Sequence, residues 1–203
     1  MVMKSGNSEH QLPNISRVSG QAEYVLGMYA LTLVMILAMV TLQILQYKAD
    51  SDIAEDALAA SALAALDVDP YRYGADHMLV INDPEHAMEI FKNALKANMD
   101  LDGDYRPVSG NASYVSGRVS VDDFRIYLVD GDEVTEYRVT DTGTVSLSGL
   151  YGEMKTPGGQ IVKSAGCYAA ISFDTKGFMG TVVRARKDAY AEMVADPLRI
   201  RDI

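Results

Sequence analysis

Asp100-Leu-Asp-Gly-Asp104 sets three carboxylates at alternate positions, the spacing at which calcium loops present their oxygen ligands. The match is incomplete. Tyr105 stands where such a loop needs glycine, and Asn111 stands where it carries its bidentate glutamate. Asp100, Asp102 and Asp104 therefore allow two readings, an acidic turn or a calcium site, and the acidic turn is the simpler. His86 and Glu89 lie one helical turn apart and could share a metal, but no second pair joins them, so a solvated helix face is expected. His10 and His77 stand alone. Asn111-Ala-Ser113 is a sequon, which matters only in a glycosylating host. No His-Glu-x-x-His, phosphate-cradling glycine loop, Gly-x-Ser-x-Gly elbow or Cys-x-x-Cys pair occurs. No catalytic constellation and no cofactor follow from these residues, and the chain reads as a non-enzyme.

Cys167 is the only cysteine, so no intrachain disulfide can form. Its simplest role is a small buried apolar residue in a strand, with an intermolecular bridge as the alternative. Acidic residues outnumber basic ones by 28 to 18, a net charge of −10. Before Tyr24 the charges cancel, Lys4 and Arg17 against Glu9 and Glu23, so the whole excess follows that point. Such a domain is repelled by nucleic acid and by anionic lipid surfaces, and nucleic acid is excluded as a partner.

The element that organises the chain is Tyr24 to Leu45, 22 residues without a charge, eleven of them Leu, Ile or Val. As a helix it is about 33 Å long, the thickness of a bilayer's hydrocarbon core. Those eleven residues contribute about −3 to −6 kcal/mol to insertion. The stretch is longer than a cleavable signal's apolar region and only two cations precede it, so it reads as an anchor. Lys4 and Arg17 ahead of it, and Asp50, Asp52, Glu55 and Asp56 behind it, favour a cytoplasmic N-terminus with the following domain outside.

Gln46 to Leu66 has no glycine or proline and eight alanines, so the membrane helix is expected to continue beyond the bilayer. Ile53, Ala57, Ala60 and Ala64 fall on one face of it, beside Leu63 and Leu66. Asp69-Pro70 ends that helix, and Asp83-Pro84 caps a second one running to about Met99. Strand patterns follow at Val119–Val129, Val134–Thr140, Thr144–Leu147, Cys167–Phe173 and Phe178–Arg186, with a hairpin signal at Asp130-Gly131. Lys187 to Val194 reads as a short helix before Pro197. The fold class is α+β: a long N-terminal transmembrane and amphipathic helix packed on an antiparallel β-meander. Its parts are a polar leader (1–22), the helix with its extension (23–67) and an extracytoplasmic domain (68–203).

Gly20-Gln21-Ala22-Glu23-Tyr24, the unbroken apolar helix, its amphipathic extension and the meander together resemble type IV pilin-like subunits. The similarity is closer to the tight-adherence (Tad) branch, whose pilins carry Glu-Tyr at the start of the apolar helix. Gly166 to Gly180 also resembles TadE-like pseudopilins. The resemblance implies a minor subunit of a pilus or secretion assembly at the cell membrane, with Gly20, Glu23 and Tyr24 serving processing and assembly. It implies other pilin-like subunits and a prepilin peptidase as partners. In that family glutamate is fifth in the processed chain; here Glu23 is third after Gly20. Gly27 and Ala30 in the span, and Ala57, Ala60 and Ala64 beyond it, are the small residues that would seat a neighbouring helix. Glu23 either pairs with a neighbour's amine or lies hydrated at the interface. The other function the chain allows is an uncleaved, signal-anchored ligand-binding or sensor domain.

Overall fold

The computed structural model describes residues 15–66, 81, 83–108, 114–177 and 180–193, with side chains from Gln21 onward. The chain forms two compact units that meet at Gln46 and Tyr47. Helix α1, Ile15–Ala64, is unbroken and belongs to both. It starts ahead of Glu23, so Gly20 lies within helical backbone. His10, His77, the Asp69-Pro70 stop and the Asn111 sequon fall outside the described residues.

Helix α2, Pro84–Asn98, begins as its sequence requires. Asp83 accepts from the amides of Glu85 and His86 at 2.9 and 3.1 Å, and Pro84 occupies the first turn, where no amide hydrogen is needed. Its buried face is Ala87, Met88, Phe91 and Leu95.

Five strands form one antiparallel sheet: β1 Ser120–Asp130, β2 Glu133–Thr140, β3 Gly143–Leu150, β4 Gly166–Lys176 and β5 Val182–Glu192, in the order β3-β2-β1-β4-β5. Gly131, at φ +59°, makes the tight β1–β2 turn that the Asp130-Gly131 pair anticipates. The sheet is not a simple meander. Strands β1-β2-β3 follow one another, as do β4 and β5, but β3 and β4 are not neighbours. The segment 151–165 then crosses the sheet, and the β4–β5 hairpin docks against β1. A period-two pattern marks strands without naming their neighbours, so this crossover has no local signal.

Two further expectations are corrected. Strand β3 runs to Leu150. Residues Lys187 to Glu192 are not helical but continue β5, paired with β4 from Lys187↔Ile171 to Glu192↔Gly166. Alanine and lysine favour a helix in isolation, but cross-strand pairing outweighs propensities of tenths of a kcal/mol per residue. Ala185, Ala189 and Ala191 pack against the core while Tyr190 packs against the other face, the strand alternation.

The main core lies on one sheet face. Phe124 and Ile126 of β1 and Cys167, Ala169, Ile171 and Phe173 of β4 meet α2 and residues 54–66. The rings of Phe91 and Phe124 meet in a tilted arrangement, 5.0 Å between centres. The opposite face holds a smaller cluster, Tyr127, Val134, Tyr168 and Ala170, covered by Val162 and Met154 of the crossover. With both faces covered, β4 is buried almost throughout.

Candidate membrane and assembly interface

The apolar stretch has the properties of a lipid-facing helix. One helix is long and apolar enough to cross a membrane, with a mean hydropathy of 2.3 over its most apolar eighteen residues and none of that window buried. Its two threonine hydroxyls are satisfied internally. Thr32 donates to the Met28 carbonyl and Thr41 to that of Leu37, each at 2.8 Å. A hydroxyl without such a partner would be costly in hydrocarbon. The Gln43 side-chain oxygen is shielded from solvent and has no hydrogen-bond partner.

Glu23 and Tyr24 are exposed at the start of this stretch. Gly27 and Ala30 are also exposed, and a Cβ at Gly27 would meet nothing within 4 Å. Contacts within the chain therefore do not explain the glycine.

Beyond Gln46 the small residues divide. Ala57 is buried in the main core, whereas Ala60 and Ala64 are exposed, as are Ile53 and Leu63. The core face is Ala54, Ala57, Leu58, Ser61, Ala62 and Ala65, a three-and-four spacing. Ser61 hides this phase in the sequence because it is polar. Its hydroxyl donates to the Ala57 carbonyl at 2.6 Å and accepts from Asn98 Nδ2 at 3.0 Å, which allows it to be buried.

The Asp100–Asp104 loop turns back on its own backbone. Asp102 Oδ1 accepts from the amides of Asp104 and Arg106, both at 2.9 Å, which engages this oxygen with its own backbone. No group of three His, Cys, Asp or Glu side chains is placed to hold a metal ion among the described residues. His86 and Glu89 approach to 3.7 Å on an exposed face. Cys167 is buried, and burial pushes its thiol pKa well up from 9.0, so the reactive thiolate is suppressed.

One constellation escaped the sequence reading. On the second sheet face Arg125 donates to Asp123 Oδ2 at 2.7 and 2.9 Å and to Glu136 Oε1 at 3.0 Å, while Arg138 lies 3.4 Å from Asp123 Oδ1. A register shift between Val121 and Asp123 bends β1 at this point. It lets Asp122 accept from Ser172 and Asp123 serve the arginines. Burial lowers the Arg125 pKa, but the hydrogen bond and charge of Asp123 and the charge of Glu136 more than offset this, so the guanidinium stays protonated. The available signal was the alternate spacing Asp123-x-Arg125 and Glu136-x-Arg138 around one hairpin. The group's two cations and two carboxylates pair with one another, although Asp123 Oδ1 makes no hydrogen bond.

No protein-family model, curated protein or solved structure matches the chain.

Proposed function

We propose that this chain is a pilin-like minor subunit of a Tad or type IV-like pilus or secretion assembly, anchored by α1 with its N-terminus in the cytoplasm. The observation that carries the reading is an exposed apolar helix, led by Glu23-Tyr24, that runs without a break into the core of an α+β domain. Such a subunit must pack its helix against others. Gly27, which no contact within the chain requires, and Gln43, whose carbonyl lacks a partner, are the groups a neighbouring helix would use. Glu23 would meet a neighbour's amine. The role is structural and needs no catalytic group.

A second reading, an uncleaved signal-anchored extracytoplasmic domain, is favoured by one observation: Glu23 stands third after Gly20 and not fifth. N-terminal sequencing of the protein extracted from native membranes separates the two. A chain that starts between Ser19 and Ala22, with cleavage lost when prepilin peptidase is removed, supports the processed subunit. A chain still starting near Met1 supports the uncleaved anchor. In the pilin reading Glu23→Ala inserts into the membrane normally but is not incorporated into the assembly; normal incorporation counts against it.

A further inference from the structure

A cleft of about 490 Å³ opens between α2 and the entry to β1. Its size is that of a small-molecule site. Its wall carries Lys92, Arg118 and Arg184 against one carboxylate, Asp141, in a chain whose net charge is −10. Arg118 has no hydrogen bond or ion pair among the described residues. The other two cations have weak partners near the surface. Lys92 lies 3.3 Å from Asp141, whose side chain is 90% exposed; Arg184, itself 65% exposed, lies 4.0 Å from Asp174 and donates to Ser120 Oγ at 3.2 Å. Exposed pairs of this kind contribute little and yield readily to a better anion.

Apart from Ser120, the rest of the cleft is largely apolar. Met88 and Val119 are buried beneath it, and Tyr105 forms part of its wall. Tyr105 sits at φ +61°, a left-handed conformation that costs a bulky residue about 1–2 kcal/mol. The surrounding loop imposes this conformation. Tyr105 N donates to the Asp102 carbonyl at 3.1 Å, its own carbonyl accepts from Val119 N at 2.9 Å, and Lys96 Nζ stands 5.6 Å from its ring centre. Strain held in place by neighbours is characteristic of ligand sites.

We propose that this cleft binds a small organic anion, an apolar body bearing a phosphate or carboxylate group. Lys92, Arg118 and Arg184 hold the oxyanion, and Met88, Tyr105 and Val119 receive the body. Guanidinium forks suit the paired oxygens of either group. The cationic wall concentrates field that the acidic surroundings would otherwise cancel. That acidic excess disfavours an anionic bilayer surface as the source, which leaves a free solute.

Phenyl phosphate tests the proposal by calorimetric titration into the full chain, held in non-ionic detergent at low salt. Saturable one-to-one binding is expected, weakened about tenfold by Arg118→Ala or Arg184→Ala. Lys163→Ala, an exposed cation outside the cleft, should leave it unchanged. Inorganic phosphate should bind several-fold more weakly, since it leaves the apolar floor unused. Circular dichroism of each variant confirms that it is folded. Absence of saturable binding, equal weakening by Lys163→Ala, or equal affinity for inorganic phosphate overturns the proposal. None of these outcomes depends on whether the chain assembles into a pilus.

Discussion

Arg125 on β1 reaches diagonally to Glu136 on β2 at 3.0 Å, because the residue directly across from it is another arginine, Arg138. Two like charges at opposed positions would be destabilising by themselves. Asp123 relieves this by facing both guanidinium groups. The carboxylates of Asp123 and Glu136 are only 8% and 10% exposed, so neither has water to fall back on. Arg125→Met removes the common partner, strands Glu136 and leaves Asp123 with only the half-exposed Arg138 at 3.4 Å. The expected loss is about 3–5 kcal/mol. Arg138 is half exposed, and Arg138→Met should cost less than about 1 kcal/mol. Denaturant midpoints of the two variants check the contrast; similar losses would mean that the network does not centre on Arg125.

The phase of α1 beyond Gln46 is also testable. Leu58 is fully buried, whereas Leu63 is 56% exposed. Leu58→Ala should destabilise by about 2–5 kcal/mol through lost transfer energy and the cavity left behind. Leu63→Ala should change stability by about 0.5 kcal/mol or less. Thermal unfolding of both distinguishes this phase from the face of Ile53, Ala57, Ala60 and Ala64. Reversed magnitudes would restore that alternative.

The two edges of the sheet make a third contrast. Strand β5 carries Arg184, Arg186, Lys187, Asp188 and Glu192, charges that discourage a further strand from pairing. Strand β3, Gly-Thr-Val-Ser-Leu-Ser-Gly-Leu, has no charge, and Val145 and Leu147 are 65% and 61% exposed. Leu147→Lys should therefore reduce self-association of the concentrated protein by light scattering while shifting stability by about 0.5 kcal/mol or less. Unchanged scattering would show that the β3 edge is not the adhesive surface.

What was legible in the sequence was local. The Tyr24–Leu45 stretch, the Asp83-Pro84 cap, the Asp130-Gly131 turn and the alternation of Phe124, Ile126 and Leu128 each follow from neighbouring residues, and each has its counterpart in the structure. What was missed depends on residues distant in sequence. Lys187–Glu192 becomes strand because β4 pairs with it, and Lys187 itself finds Glu55 of α1 at 3.0 Å. Ser61 passes for a surface residue until Asn98 supplies its hydrogen bond. The cleft gathers Lys92, Arg118 and Arg184 from three separate stretches, and no spacing rule joins them.

Alkaline pH should unfold the domain from the inside. Burial raises the pKa of Cys167 from 9.0. It likewise raises those of Tyr127 and Tyr190 from 10.0, helped by Glu136 for Tyr127 and by Glu192 for Tyr190. In each case the folded pKa lies above the unfolded one. Below about pH 8 all three groups are neutral in both states, so their contribution to stability is complete. Above pH 9 to 10 the unfolded chain releases protons that the folded chain keeps, and stability falls. The slope approaches about 1.4 kcal/mol per pH unit for each fully buried group. The midpoint of thermal unfolding should therefore be nearly level from pH 7 to 8.5 and drop steeply by pH 11. Tyr127→Phe isolates one share of the effect. The Tyr127 hydroxyl lies beside Glu136 and Arg125 without a hydrogen bond of good geometry to either, so the substitution removes an ionisable group at little cost in packing. Its edge-on contact with Tyr190, 6.0 Å between ring centres, is one that phenylalanine can keep. The variant should match the parent at pH 7 and exceed it at pH 11. An equal loss in both proteins would show that ionisation of Tyr127 does not drive the alkaline transition.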